Sequence, residues 1–390
     1  MSEVKVNSIK GVGASVPAIS INNTDGTCTA NITNNLSNRN KVINGAMLCA
    51  QRGTSFSPNA SAQIYTLDRF QHVATSGVAF DATVTQDSSA PVGFSKSYKV
   101  TPDATDTPSG GGNGTIRTKI EGQDVQDLAY GGSDAKKITV SFYAKSASQN
   151  NGHQYTFQLR HFATDGTQRS INAPFTITSS FQRFTFSFVG DTAEDIINTN
   201  ALGMELCWQL AAGPNDITSQ QTTWVTTNLF TCVTGQSNFM SSTSNEFYLT
   251  GVQLEVDHTN SGKATDFEHK SFAVEKRLCD RYYQKIINTS DARPFGVGNI
   301  DGSTQAQIYV SLPVEMRTAP SSMELDSNST DFRMRVRSSV TCTGHNFFGA
   351  GPTNVFLEIK VSTGHGFTDG QAAFAINNGA NKFMAFSAEL

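Results

Sequence analysis

The chain has 390 residues, of which 16% are charged, with a formal net charge of −4. A charged fraction well under the roughly 25% usual for globular proteins, with no basic excess, excludes an electrostatic grip on nucleic acid or on an anionic membrane. No apolar run reaches the ~18 residues of a membrane span, and Met1-Ser-Glu-Val-Lys-Val lacks the apolar stretch of a secretory signal, so assembly in a cytoplasm without membrane insertion is expected.

Residues 1–40 differ from the rest. Gly11, Gly13, Pro17 and Gly26 interrupt them, and Asn31 to Asn38 is rich in amides and hydroxyls. Val4, Val6, Ile9 and Ile19 are too few to bury a core. Together with Pro17 they are expected to form an extended N-terminal arm that orders against a partner, for docking or oligomerisation.

From about Val42 to Asp257 the pattern is that of strands. Ile138, Val140, Phe142 and Ala144 alternate with Thr139, Ser141 and Tyr143; Phe184, Phe186 and Phe188 alternate with Thr185 and Ser187; Met204, Leu206, Trp208 and Leu210 do the same. Period-2 segments bounded by Gly, Asn, Asp and Ser mark antiparallel strands with one wet face. The strand–helix–strand rhythm of a parallel sheet is missing, and many short strands over this length imply a jelly-roll sandwich. In Phe247–Val256 the apolar phase slips by one at Thr250-Gly251, which predicts a β-bulge.

One helix is expected, over about Ser271 to Ile286, with Ser271 as N-cap and a buried stripe of Val274, Leu278 and Tyr282. Strands then resume. Ile308, Val310, Leu312 and Val314 alternate, and Pro313 points to an edge position. The expected fold is all-β: an arm over 1–40, a jelly-roll sandwich over 41–267, a connecting helix over 268–287 and a smaller antiparallel sandwich over 288–390.

Chemistry is sparse. The seven histidines show no metal-ligand spacing, and neither a His-Glu-x-x-His motif nor a Gly-x-Ser-x-Gly elbow occurs. Asp103, Asp106, Asp165, Asp191 and Asp216 sit where turns are expected. No cofactor is expected; a structural Ca²⁺ would need a ligand-spaced loop that the sequence does not offer. Cys207 and Cys232 fall on neighbouring expected strands, but a cytosol-made chain keeps such thiols reduced. Trp208 shares a face with Met204, Leu206 and Leu210 and belongs to a core. Trp224 follows a polar run and is the candidate surface platform for a sugar ring. Arg333, Arg335 and Arg337 line one strand face, suited to an anionic glycan, or else a solvated face or a subunit contact.

Several ordered motifs resemble those of a family of phage tail-fibre or minor tail proteins. They are Phe247-Tyr-Leu-Thr-Gly-Val-Gln-Leu-Glu-Val, Thr265-Asp-Phe-Glu-His-Lys-Ser and Leu278-Cys-Asp-Arg-Tyr-Tyr-Gln-Lys, preceded by Val42-Ile-Asn-Gly-Ala-Met-Leu-Cys-Ala-Gln-Arg-Gly-Thr. Tyr65-Thr-Leu-Asp-Arg-Phe is similar to a further motif, with Phe70 where the family usually carries Trp. Ile120-Glu-Gly-Gln-Asp-Val-Gln-Asp-Leu-Ala-Tyr-Gly, Thr139-Val-Ser-Phe-Tyr-Ala-Lys-Ser and Phe386-Ser-Ala-Glu-Leu complete the resemblance, which covers residues 41–390. It implies a carbohydrate-binding-like jelly roll, a place on the virion and a homotrimer, with residues 1–40 as a docking arm.

The expected function is therefore a non-catalytic virion component, a tail fibre or adhesin whose partners are other virion proteins, copies of itself and host surface glycan. The alternative is a purely architectural decoration or adaptor protein. A polysaccharide depolymerase is disfavoured by the missing motif set and by the lack of a long parallel β-helix pattern.

Overall fold

The computed structural model describes residues 6–13, 15, 17–24, 26, 28–30, 38–59, 63–227, 229–258 and 260–390. Val4 lies outside them. The chain is all-β and divides into two compact units. The first comprises residues 1–48, 54–66 and 70–270; the second comprises 271–390 together with the short upstream segments Cys49–Gly53 and Leu67–Arg69.

In the first unit, two antiparallel sheets face one another. The six-stranded sheet runs in the order Gln182–Phe188, Ile138–Ser146, Phe247–Val256, Ser97–Pro102, Ala82–Asp87, Ser55–Phe56. The seven-stranded sheet runs Val225–Thr226, Gln168–Thr176, Gln154–Phe162, Leu202–Ala212, Asn113–Glu121, Phe70–Ala74, Gln63–Tyr65. Alternation fixes which side chains meet between them. Phe142 from one sheet packs against Phe157 and Trp208 from the other, both at 5.4–5.7 Å between ring centres. Phe157 in turn stacks parallel to Phe186, 5.6 Å away with 4° between the planes. Trp208 is fully buried, as its strand pattern requires.

The expected bulge is present. Ser141 pairs with Gln253 and Tyr143 with Thr250, so one extra residue sits on the 247–256 strand. Gly251 takes φ +62° there, a conformation that glycine adopts without steric cost. The upstream motif at Asn40–Ala46 runs along the same strand: Lys41 N–H donates to Leu254 O, and Val252 N–H to Gly45 O, both at 2.9 Å. A Cβ on Gly45 would come within 2.2 Å of Val252 O, which accounts for glycine at that position.

Ser8–Ile9, Ile19–Ile21 and Cys28–Ala30 pair as a small antiparallel sheet. None of the residues described there is buried. Val6 and Ile9 are 42% and 53% exposed, and Pro17 and Ile19 are half-buried.

The second unit holds a three-stranded sheet (Tyr283–Asn288, Lys382–Ser387, Met323–Leu325) and a seven-stranded one. The latter runs Ser339–Thr341, Phe332–Arg335, Ala372–Asn377, Pro294–Ile300, Gln305–Ser311, Asn354–Lys360, Gly344–Gly351. Its core gathers Ile300, Ile308, Val310, Phe332, Met334 and Leu357.

Two expectations fail here. The helix covers only Phe272–Asp280, and it buries Glu275 and Cys279 while Val274 is 49% exposed. Residues 283–286, apolar at helical spacing, instead pair as a strand with 384–387. The strand before Pro313 is central, flanked by Pro294–Ile300 and Asn354–Lys360, because it ends at Ser311 before the proline can remove a ladder donor.

Candidate functional site

The structure places the sequence-derived candidates as follows. Trp224 is not a surface platform: it is 7% exposed, and its indole N–H donates to Val189 O at 2.7 Å. Its ring covers His161 and Tyr130, at 4.8 and 5.6 Å. His161 in turn meets Asp191 at 2.7 Å, and Arg169 grips both oxygens of Asp191. Burial holds the His161 imidazole below its ordinary pKa, against the pull of Asp191. Trp224 is thus the lid of a buried polar cluster, which the hydrophilic run before it conceals.

Arg333 is half-buried and tied to Asp291 and to Asn377 O. Arg335 is exposed at the end of its strand, and Arg337 is exposed in the bend beyond it. The stripe therefore offers two accessible cations, not three. Val6 and Ile9 are exposed.

The arrangement that sequence reasoning missed lies in the first unit, on the face of the seven-stranded sheet turned away from its core. Residues that alternate with Ile116, Leu206, Trp208, Phe157 and Leu159 point there. One cross-strand row reads Lys119, Glu205, Arg160, Ser170; the next reads Gln71, Arg117, Cys207, Gln158, Asn172. Arg117 and Arg160 bind opposite oxygens of Glu205, at 3.1 and 2.8 Å. Arg117 also donates to Gln71 and Gln63, and Arg160 to Gln168. A carboxylate held by two guanidiniums fixes both partners in place.

Much of this face is roofed by residues 219–227 and 229–237. Gln158 donates to Thr231 at 2.8 Å, Thr156 to Gln236 at 2.9 Å and Ser170 to Gln221 at 2.9 Å. Cys207 lies beneath, its thiol pushed up to about 12 chiefly by burial. Toward Lys119 the roof thins. There the Phe230 ring stands 4.8 Å from the Arg160 guanidinium and 5.9 Å from that of Arg117, with Phe162 on the other side of Arg160 at 5.4 Å. Phe230, Phe162, Lys119 and Gln168 are half-exposed and Gln63 is exposed. This open end combines ring faces and amides, which suit the C–H faces and hydroxyls of a sugar, above the buried Arg117 and Arg160. One sequence signal could have found it: Glu205 is a lone charge in the apolar strand Gly203-Met-Glu-Leu-Cys-Trp, and such a charge needs partners.

The second unit brings together parts of four of the motifs quoted above, Cys49–Gly53, Leu67–Arg69, Leu278–Lys285 and Phe386–Leu390. Arg52 reaches Glu389 and lies over Tyr283, 3.7 Å from the ring centre. Arg69 pairs with Glu389 and lies over Tyr282. Gln51 donates to Tyr283 O at 2.8 Å. Cys49, Asp68 and Cys279 form the group of potential metal ligands found among the described residues, all buried, with ligand atoms within 4.8 Å of one another. Burial raises the Asp68 carboxyl to about 6, opposed mainly by Arg52. The hydrogen bond to Cys49 and burial raise the Cys279 thiol well above its ordinary range.

No protein-family model matches the chain, and no curated protein is similar to it in sequence. Solved structures that match part of the chain include the enzymatically active domain of tailspike protein 4 of bacteriophage CBA120, at 14% identity and a TM-score of 0.32 over 57% of this chain. That match spans 22% of the tailspike chain, about a fifth of its length. Others are the family 11 carbohydrate-binding module of a cellulosomal cellulase of Clostridium thermocellum (11% identity, TM-score 0.27, 53% of this chain and 99% of that one). A xylan-binding domain from Paenibacillus barcinonensis also matches, at 9% identity and a TM-score of 0.26, over 52% of this chain and 91% of that one.

Proposed function

We propose that the protein is a component of a bacteriophage particle, of tail-fibre type, that recognises host surface glycan without catalysis. The motifs shared with phage tail-fibre proteins support the particle role. The observation that carries glycan recognition is the open end of the polar sheet face, where Phe230 stands over the Arg160–Glu205–Arg117 field. Glu205 supports binding over hydrolysis. Both of its oxygens are engaged by guanidiniums, which suits a structural carboxylate better than one aimed at a glycosidic bond.

Attachment falls to the N-terminal segment, whose Val6 and Ile9 are exposed. Other virion proteins and further copies of the chain, in a homotrimer, are the partners expected to cover them.

The test has two arms. Purified protein is titrated against host envelope glycans, and Phe230→Ala is expected to weaken binding about tenfold or more. Removal of residues 1–40 is expected to abolish incorporation into particles while leaving glycan binding intact. Absence of any binding at high protein concentration would favour the purely architectural reading; full incorporation of the truncated protein would remove the docking role.

A further inference from the structure

The seven-stranded sheet of the second unit turns one face to its core and the other to solvent. On the solvent face, one cross-strand row is apolar. Phe374 pairs with Val297, Val297 with Tyr309, and Tyr309 with Phe356. These four side chains are 42%, 49%, 48% and 38% exposed. The next strand extends the row through an irregularity: its register slips between Phe347 and Gly349. The slip turns Phe348 outward, 52% exposed and 5.7 Å from the Phe356 ring, while Phe347 packs on the core. A bulge that re-aims one side chain in this way is a device for building a surface. An apolar row of this length left open to water is a contact site in waiting.

What borders the row indicates its occupant. Directly alongside runs a second register row of hydrogen-bonding side chains: Asn299, Gln307, Glu358 and Asn346. Glu358 is neutralised by Lys360 at 2.9 Å and receives Asn346 at 2.6 Å. At the other end, Arg335 pairs with Phe374 and is exposed, with exposed Arg337 just beyond. Rings in a straight line beside a line of amides suit a linear chain of pyranoses, whose C–H faces stack while their hydroxyls bond sideways. Adjacent strands lie about 4.8 Å apart, so Phe374 to Phe356 spans roughly 14 Å, the reach of a short oligosaccharide. The exposed guanidiniums of Arg335 and Arg337 at the end of the row call for an acidic group on that chain.

We infer that this face is a second saccharide-binding surface, specific for a linear anionic polysaccharide: Phe374, Tyr309, Phe356 and Phe348 stack its rings and Arg335 receives a carboxylate or phosphate. It rests on the glycan-binding reading above but on none of the same residues.

Affinity electrophoresis of the full-length protein in gels containing polygalacturonate, alginate or neutral dextran tests it. Wild-type protein should be retarded by a polyanion and less by dextran. Tyr309→Ala/Phe356→Ala should lower the apparent affinity about tenfold or more, and Arg335→Gln should erase the preference for the charged polymer. All these side chains are solvent-exposed, and unchanged circular dichroism and unfolding midpoint confirm that the variants fold. Unaltered retardation of the double variant overturns the inference. So does a shift in its sedimentation coefficient without a change in retardation, which would make the row a subunit contact. Phe230→Ala separates the two readings. If it alone abolishes binding to host glycan, the first-unit site stands and this one falls; if only Tyr309→Ala/Phe356→Ala does, the reverse holds. Absence of wild-type retardation in both polyanion gels also overturns the present inference, and it leaves the first-unit site to the titration with host glycan.

Discussion

The guanidinium carbon of Arg69 lies 3.4 Å from the centre of the Tyr282 ring, and the same side chain is ion-paired with Glu389. Arg69 is 1% exposed. A stacked, planar, permanently charged group cannot be replaced there by an ammonium. Arg69→Ala and Arg69→Lys should both destabilise the second unit, the alanine by about 3 kcal/mol. That is the low end for breaking a buried pair, because Glu389 keeps Arg52. Urea unfolding followed by the tyrosine environment should show the second unit's transition moving while the first unit's stays in place; coincident shifts of both would refute the assignment.

Acid should act on the two units in opposite directions. Burial holds the His72 imidazole down at about 4, with Nε2 2.8 Å from Phe80 O. Between pH 6.5 and 4 the unfolded chain binds the proton and the folded one does not, so stability falls as pH drops, by about 3 kcal/mol in total. Asp68 is the converse. Its carboxyl is raised to about 6, so the stability it contributes is present below pH 4 and lost as pH rises to 6. His72→Gln should flatten the pH dependence of the first transition, and Asp68→Asn that of the second. Parallel pH curves for wild type and variants would contradict this.

Gly251 sits at the bulge with positive φ, and a Cβ there would come within 2.8 Å of the rings of Phe94 and Tyr143. Gly251→Ala should cost about 2 kcal/mol or more, from strain and crowding together. Gly132, whose added Cβ would meet nothing within 4 Å, is the control and should change stability little. Equal midpoints for the two variants in thermal unfolding would argue against a required bulge.

Trp224 separates stability from recognition. Its removal strips the lid from His161 and leaves Val189 O without the indole donor. Trp224→Ala should cost about 3–5 kcal/mol yet leave the glycan affinity of the folded protein near wild type. A selective loss of binding with stability unchanged would restore Trp224 as a platform.

Strand alternation revealed the β class, the buried Trp208 and the bulge at Gly251, because each is encoded within a single segment. What escaped depends on pairings between distant segments. Tyr283 and Ile286 carry helical spacing and become a strand only because residues 384–387 lie beside them. Lys119 and Arg160 each look like ordinary wet-face residues, and only sheet register places them in a row with the lone charge Glu205. Trp224 misled for the same reason, since the groups it covers, Tyr130 and His161, come from elsewhere in the chain. The exposed row on the second unit has a similar origin: Val297, Tyr309, Phe356 and Phe374 sit on four different strands.

The second unit's dependence on Cys49–Gly53 and Leu67–Arg69 bears on how the protein is made. Arg69 leaves the ribosome 320 residues before the glutamate that neutralises it. Through that interval the unit cannot close, so a stalled or prematurely ended chain carries an unfinished C-terminal unit that proteases and chaperones can recognise. The same discontinuity sets a rule for dissection. A fragment cut at the helix would present Tyr282, Tyr283 and Glu389 stripped of their arginines, and a fragment intended to fold must keep the two short upstream segments with it.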